Sequence, residues 1–390
     1  MLEKFNISQR QPIIGVEEII PSTPGVLTVA IAGCSSSGKT TLALLLSEIF
    51  SSLSTKRGST DDDSPLDLEK ENLDGSQTTI PSTTPFTTTI HQDDFFIQKA
   101  LCPFVAFNST NNDKKFIKDS LNGMDEKDIY SYFCTGAEEK GNVRIIGPNT
   151  DCMEAVDFGE LLRRVQAAKI NGSDPEKNAK SKKHADKRKL VERYSGVIAA
   201  MRKRVEERLA STSVDYINGW VFVEGFLLLS KSMPSDDRSL AFDELEEGIC
   251  AEIKRQRQLQ PKVDEELMRE MERIREERAP SNEALMQEFD VKLFLPTSKE
   301  VARHRRLSRF PYVDSPAGGR LPGQMWKSEG YFEEVVWKGY ENSFDWLLKD
   351  TGKGNVNGVF VRSTLDDTVE NTVEWAIDII LEALIARGEN

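Results

Sequence analysis

The chain has 390 residues and a formal net charge of −13 at pH 7, which argues against general nucleic-acid binding, where a basic balance is the rule. Its five cysteines are scattered and odd in number, favouring reduced thiols and a cytoplasmic setting with nuclear access left open, and its three histidines lack metal-ligand spacing. Apolar runs such as Leu227 to Leu229 are far too short to span a bilayer, and the N-terminus has no basic-then-apolar leader pattern.

Residues 1–25, with Pro12, Pro21, Pro24 and Gly25, lead into Val26 to Ala32, a short β-branched run that reads as a buried parallel strand. Next comes Gly33-Cys34-Ser35-Ser36-Ser37-Gly38-Lys39-Thr40, which fits G-x-x-x-x-G-K-[ST]. Small residues there let backbone N–H groups turn inward around phosphate oxygens. Lys39 can reach the outer phosphates, and the Thr40 hydroxyl can sit on a magnesium ion. Leu42, Leu45, Leu46, Ile49 and Phe50 then fall at helical spacing, so the loop opens a helix whose N-terminus attracts anions. Residues 51–85, rich in Ser, Thr and Asp, read as a disordered insertion. Thr87 to Ile90 predict a second strand, and 98–147 read as irregular.

A helix is predicted from Phe158 to Lys169, broken at Asn171 to Pro175. The lysine run from Lys177 to Lys189 is either a solvated helix start or a polyanion or nuclear-import patch; a helix from Val191 to Leu209 follows, giving a basic helical insertion over 171–215. Trp220 to Val223 predict another strand, and 231–289 form a charged helical insertion, with alternating signs from Asp264 to Arg278. Asp290 to Leu295 and Gly358 to Val361 predict two more strands, and Asp367 to Ala386 a last helix. Strands alternating with helices predict an α/β fold with a parallel sheet, one domain over 26–386 carrying these insertions.

The chain has no Asn-Lys dipeptide, so a GTPase-type guanine reader is missing. It has carboxylates at strand ends instead: Asp93 and Asp94 after the second strand, and Glu224 after Val223. Ligands of open α/β sheets bind at carboxyl ends of strands. An acid there can accept the proton of a substrate hydroxyl or hold magnesium, though strand-end acids also cap helices. Arg303, Arg305, Arg306 and Arg309 cluster late in the chain. They suit the charge of a transferring phosphoryl group, or a basic helix face. Phe310, Tyr312 and Trp326 follow; they can stack a flat ring or pack a lid.

The blocks G-C-S-S-S-G-K-T-T, Q-D-D-F-F, N-T-D-C-M-E-A-V-D, V-E-G-F-L-L and R-R-L-S-R-F-P-Y-V-D-S-P together resemble the nicotinamide riboside kinases, grouped in fold with uridine kinases. The resemblance implies a P-loop kinase fold, a parallel sheet flanked by helices with an arginine-bearing lid. It also implies ATP, magnesium and phosphorylation of the 5′-hydroxyl of nicotinamide riboside to the mononucleotide, in NAD salvage. Residue by residue, it assigns ATP to Gly33, Cys34, Ser35, Ser36, Ser37, Gly38, Lys39, Thr40 and Thr41, with Arg305, Arg362, Ser363 and Thr364. Asp93, Lys39 and Glu224 would be catalytic, and Thr40 and Asp93 would lie near the metal. Asp93, Asp94, Phe95, Phe96, Thr150, Asp151, Arg306 and Tyr312 would line the riboside site. Thr150 stands where the family has an aromatic ring, and either Phe310 or Tyr312 would supply the other ring. The partners implied are a small riboside and ATP, with neither membrane nor nucleic acid. Rival readings are a uridine–cytidine kinase and a non-catalytic P-loop scaffold acting through its charged insertions.

Overall fold

The structure, a computed structural model, describes residues 25–51, 53, 85–97, 102, 104–109, 132–134, 143–171, 183–211, 217–231, 282–308, 330–350, 352 and 354–388. In chain order its elements are β1 (Val26–Gly33), α1 (Lys39–Phe50), β2 (Phe86–His91), β3 (Phe104–Ser109), β4 (Tyr132–Cys134), β5 (Val143–Pro148), α2 (Phe158–Asn171), α3 (Lys183–Arg193) and α4 (Ser195–Ala210). There follow β6 (Gly219–Gly225), α5 (Glu283–Gln287), β7 (Val291–Leu295), α6 (Lys299–Ser308), a π-helical turn (Phe332–Trp337) continuing into α7 (Lys338–Leu348), β8 (Asn355–Val356), β9 (Val359–Val361) and α8 (Val369–Gly388).

The main sheet has six strands in the order β2-β6-β1-β7-β9-β8. All neighbours are parallel except β8 and β9. The continuous apolar runs are explained by burial on both faces. Along β1, Leu27, Val29 and Ile31 pack with α1, α4 and α8, while Val26, Ala30 and Ala32 pack with α2 and the Tyr331–Leu347 region. The same alternation divides β6: Trp220 and Phe222 meet Phe50 of α1, at ring separations of 4.2 and 5.9 Å, and Val221 and Val223 face the other layer. Threonine 28 is buried in β1 yet satisfied: its hydroxyl lies 2.6 Å from both Glu288 O and Asp290 Oδ2.

The five strands expected from apolar runs all form, but the sheet is not purely parallel. Asn357 (φ 52) and Gly358 (φ 79) make a two-residue hairpin turn, which folds β8 back antiparallel on β9. Residues 98–147, expected to be irregular, supply three strands. They form a separate antiparallel sheet in the order β3-β5-β4. β3 pairs with β5 from far along the chain, and β4 is only three residues long, so no local pattern announces the sheet. The single helix expected at 191–209 is two, α3 and α4, meeting at Tyr194. The π-helical turn, which buries Phe332, Val335, Val336 and Trp337, is also unannounced by periodicity.

The insertions at 51–85 and 231–289 lie mostly outside the described residues, as do Arg309, Phe310, Tyr312 and Trp326. The 171–215 segment contributes a layer: α4 buries Ile198 and Val205 beside α1 and α8, and Arg204 pairs with Glu374 and with Asp378 at 2.7 Å. Buried Asn282 clasps the chain after β6, its Nδ2 lying 2.8 Å from Ser230 O and 3.1 Å from Leu228 O. Among the described residues, no helix is long and apolar enough to cross a membrane.

Candidate active site

The loop after β1 is shaped by one close approach. A Cβ on Gly33 would come within 2.4 Å of Leu295 O, so the end of β7 leaves room for glycine alone. The chain then turns through Ser36 (φ 69) and enters α1 at Gly38 (φ 102). Lysine 39 is buried and folds back, donating from Nζ to Cys34 O at 2.7 Å. The Ser36 and Ser37 hydroxyls are buried with no hydrogen-bond partner among the described residues. Buried polar groups ordinarily find partners. A loop holding two such hydroxyls beside a lysine and a helix N-terminus is built for an incoming anion.

That loop forms one side of a cavity of about 400 Å³, within the range of ligand pockets. Its lining includes residues 35–42, Asp93, Glu224, Phe226 and Arg305, with Asp367, Val369, Thr372 and Val373 at the start of α8. The sheet order explains the gathering, since β2, β6 and β1 are adjacent and all end on this side. Glu224 closes β6, where its side chain receives the Thr40 hydroxyl at 3.0 Å and lies 2.7 Å from His91 Nδ1, both on Oε1. Burial alone would push its carboxyl up. The hydrogen bond from His91, the charge of Lys39 and the hydrogen bond from Thr40 outweigh this and hold it below the ordinary glutamate value.

The Q-D-D-F-F and E-G-F-L-L blocks interlock. Gln92 is fully buried in the 3-10 turn Gln92–Phe95, and its Oε1 accepts Leu227 N–H at 2.9 Å. A Cβ on Gly225 would strike that oxygen at 2.4 Å. The lock presents Asp93 to the cavity, exposed, one residue beyond Gln92. Asp94 is exposed but does not line the cavity. Phe95 is 6% exposed, belongs to the core with Arg164 over its ring, and does not line the cavity. Phe96 is 39% exposed, with its ring 6.1 Å from that of Phe226.

Phe226 also borders a small crevice of about 10 Å³, lined with Cys34, Ser35, Asp151 and Tyr340 among others. Asp151 receives the hydroxyl of Tyr331 on Oδ2 at 2.7 Å. Tyr331 is wholly buried, and burial with the Asp151 charge drives its phenol well above the ordinary value, so it remains a donor. Thr150 is half-buried beside it. Arg306 is buried too: Nη1 donates to Ser35 Oγ at 3.0 Å, and the guanidinium lies 6.0 Å from the Tyr331 ring. The helix bearing both arginines is anchored at its start by Asp366, which accepts from Ser298 N at 3.2 Å and from the Thr297 hydroxyl at 2.5 Å. Burial pushes the Cys34 thiol up to about 12, so it is no nucleophile.

Arg362, Ser363 and Thr364 do not line the cavity. Arg362 pairs with Asp367, donates to Asn371 O at 3.1 Å and stacks 5.4 Å from the Trp375 ring, so it braces α8 from behind. The wall itself is made by Asp367, Val369, Thr372 and Val373, which no motif marks; their helical spacing at the start of α8 is the only sequence signal. Tyr331 has no sequence signal either. Tyr312 lies outside the described residues.

A mostly parallel α/β sheet with helices on both faces, and a G-x-x-x-x-G-K-T loop at the end of its central strand, is compatible with the P-loop kinase fold. No protein-family model matches the chain. Over 106 residues it is 32% identical to the nicotinamide riboside kinase of Schizosaccharomyces pombe. That stretch is 26% of this chain and spans 44% of the yeast protein, less than half its length.

Proposed function

We propose that the chain transfers the terminal phosphoryl group of ATP to the 5′-hydroxyl of nicotinamide riboside, through a single kinase domain over 26–386. The observation that carries this reading is one cavity shared by the phosphate loop, Asp93 and Glu224, with Asp151 in a crevice beside the same loop. The backbone of 33–40, the unpartnered Ser36 and Ser37 hydroxyls and Lys39 hold the donor phosphates. The apolar face of Val369 and Val373 accepts the donor base. Asp93 takes the proton from the attacking hydroxyl, and Asp151, fixed by Tyr331, grips the ribose. Phe226 and Phe96 offer the ring surface that Thr150 does not. Arg305 and Arg306 stabilise charge on the transferring group.

Magnesium fits the donor set. Among the described residues no cluster of three or more His, Cys, Asp and Glu side chains forms a closed cage, and magnesium prefers one or two carboxylates plus phosphates and water. Thr40, Asp93 and Glu224 would hold it, and it would supply neutralisation of phosphate charge.

The test is a side-by-side assay of purified protein with nicotinamide riboside and uridine, read as riboside-dependent ADP release. Faster turnover of nicotinamide riboside is expected. Faster turnover of uridine defeats the substrate assignment, and no turnover of either defeats the kinase reading.

A further inference from the structure

We propose that His91 is a positioning residue that aims the Glu224 carboxylate, and so sets how strongly magnesium tightens the grip on nucleotide; this rests on the kinase reading above. Strands β2 and β6 run parallel with His91 opposite Glu224, so the register brings the two side chains together. The hydrogen bonds to Glu224 among the described residues both fall on Oε1, from Thr40 Oγ1 at 3.0 Å and His91 Nδ1 at 2.7 Å. Oε2 takes neither of these bonds, and Glu224 lines the cavity.

The carboxylate torsion of a glutamate is broad and roughly two-fold, so a single donor leaves it free to turn. Two donors on one oxygen, from two different elements, define its plane. Thr40 alone makes a poor anchor, because the same hydroxyl is wanted by the cation. His91 carries the second constraint and has no such competing duty. It sits at the end of the sheet's edge strand, with a side chain 19% exposed. Groups that orient a ligand without touching the metal typically matter about 10- to 100-fold in affinity or activity.

The experiment is calorimetric titration of the full chain with ATP, in magnesium and in chelator, read as the ratio of the two affinities. His91→Leu keeps the apolar bulk and removes the donor, and the ratio should fall roughly tenfold. His91→Asn returns an amide N–H near the Nδ1 position and should restore the ratio to within about threefold of wild type. In a Glu224→Gln background, His91→Leu should change nothing further, which a merely structural role would not produce. If the leucine variant fails to fold, His91→Val, which also lacks a side-chain donor and suits a strand, gives the same comparison. An undiminished ratio in the leucine or valine variant, or equal losses in both Glu224 backgrounds, overturns the role of His91 alone. Wild-type protein that binds no ATP in magnesium overturns the donor-site reading and His91's role with it.

Discussion

Replacing Gly225 by alanine drives a methyl group into Gln92. The new Cβ would lie 2.4 Å from Gln92 Oε1 and 2.5 Å from Gln92 Cβ, inside any tolerable contact. Gln92 is fully buried and cannot swing away without stranding Leu227 N–H, now 2.9 Å from its oxygen. Overpacking a core costs about 1–3 kcal/mol and an unpaired buried amide a similar amount, so the variant should lose about 2–6 kcal/mol of stability. The same strain moves Glu224, one residue before the substitution, and Asp93, one residue after Gln92. Turnover should therefore fall on the order of a hundredfold, as expected for acids displaced by about an ångström. Urea unfolding followed by tryptophan fluorescence reads the first effect, and the coupled kinase assay reads the second. Gln92→Gly removes the three atoms nearest the methyl; in that background Gly225→Ala should cost less than about 1 kcal/mol. A wild-type unfolding midpoint for Gly225→Ala, or equal costs in the two backgrounds, would refute the interlock.

Asp93→Asn should lower turnover at least about a hundredfold while calorimetry in chelator shows ATP binding within about twofold of wild type; unchanged turnover removes Asp93 as the proton acceptor. Tyr331→Phe deletes the donor to Asp151 and should raise the riboside KM about tenfold without altering ATP affinity, and an unmoved KM detaches Asp151 from the acceptor site. Cys34 in the folded protein should resist iodoacetamide at about pH 8 and react only in denaturant, as mass spectrometry would show; labelling at the rate of a free thiol contradicts its burial. Its folded pKa lies above the unfolded value of 9.0, so the corresponding stability is present below pH 9.0 and is lost as pH rises toward about 12.

The glycine loop and the elements that flank it were legible because local sequence encodes them. A strand buried on both faces, small loop residues and a helix face each leave a pattern within a dozen residues, and the strand-end acids Asp93 and Glu224 follow once the strands are placed. What escaped depends on register or on distant pairing. The alignment of His91 with Glu224 exists only when β2 lies beside β6, although the two are far apart along the chain. Tyr331 meets Asp151 across a gap of 180 positions, with no motif around it. Phe95 shows the opposite failure: an aromatic inside a substrate-like motif turned out to face the core, because a 3-10 turn sends consecutive side chains in different directions. The β8–β9 hairpin did carry a signal, Asn357-Gly358, hidden by the larger expectation of a parallel sheet.

The clasp at Asn282 bears on how this chain tolerates length. The buried side-chain amide of Asn282 ties the described chain just after β6 to the chain that resumes before β7. Closing a longer loop across such a tie costs only about 0.6 kcal/mol for each doubling. The span between those two ends can therefore change length while β6 and β7 stay in register. The same place offers an engineer a natural graft site for a reporter or a second domain.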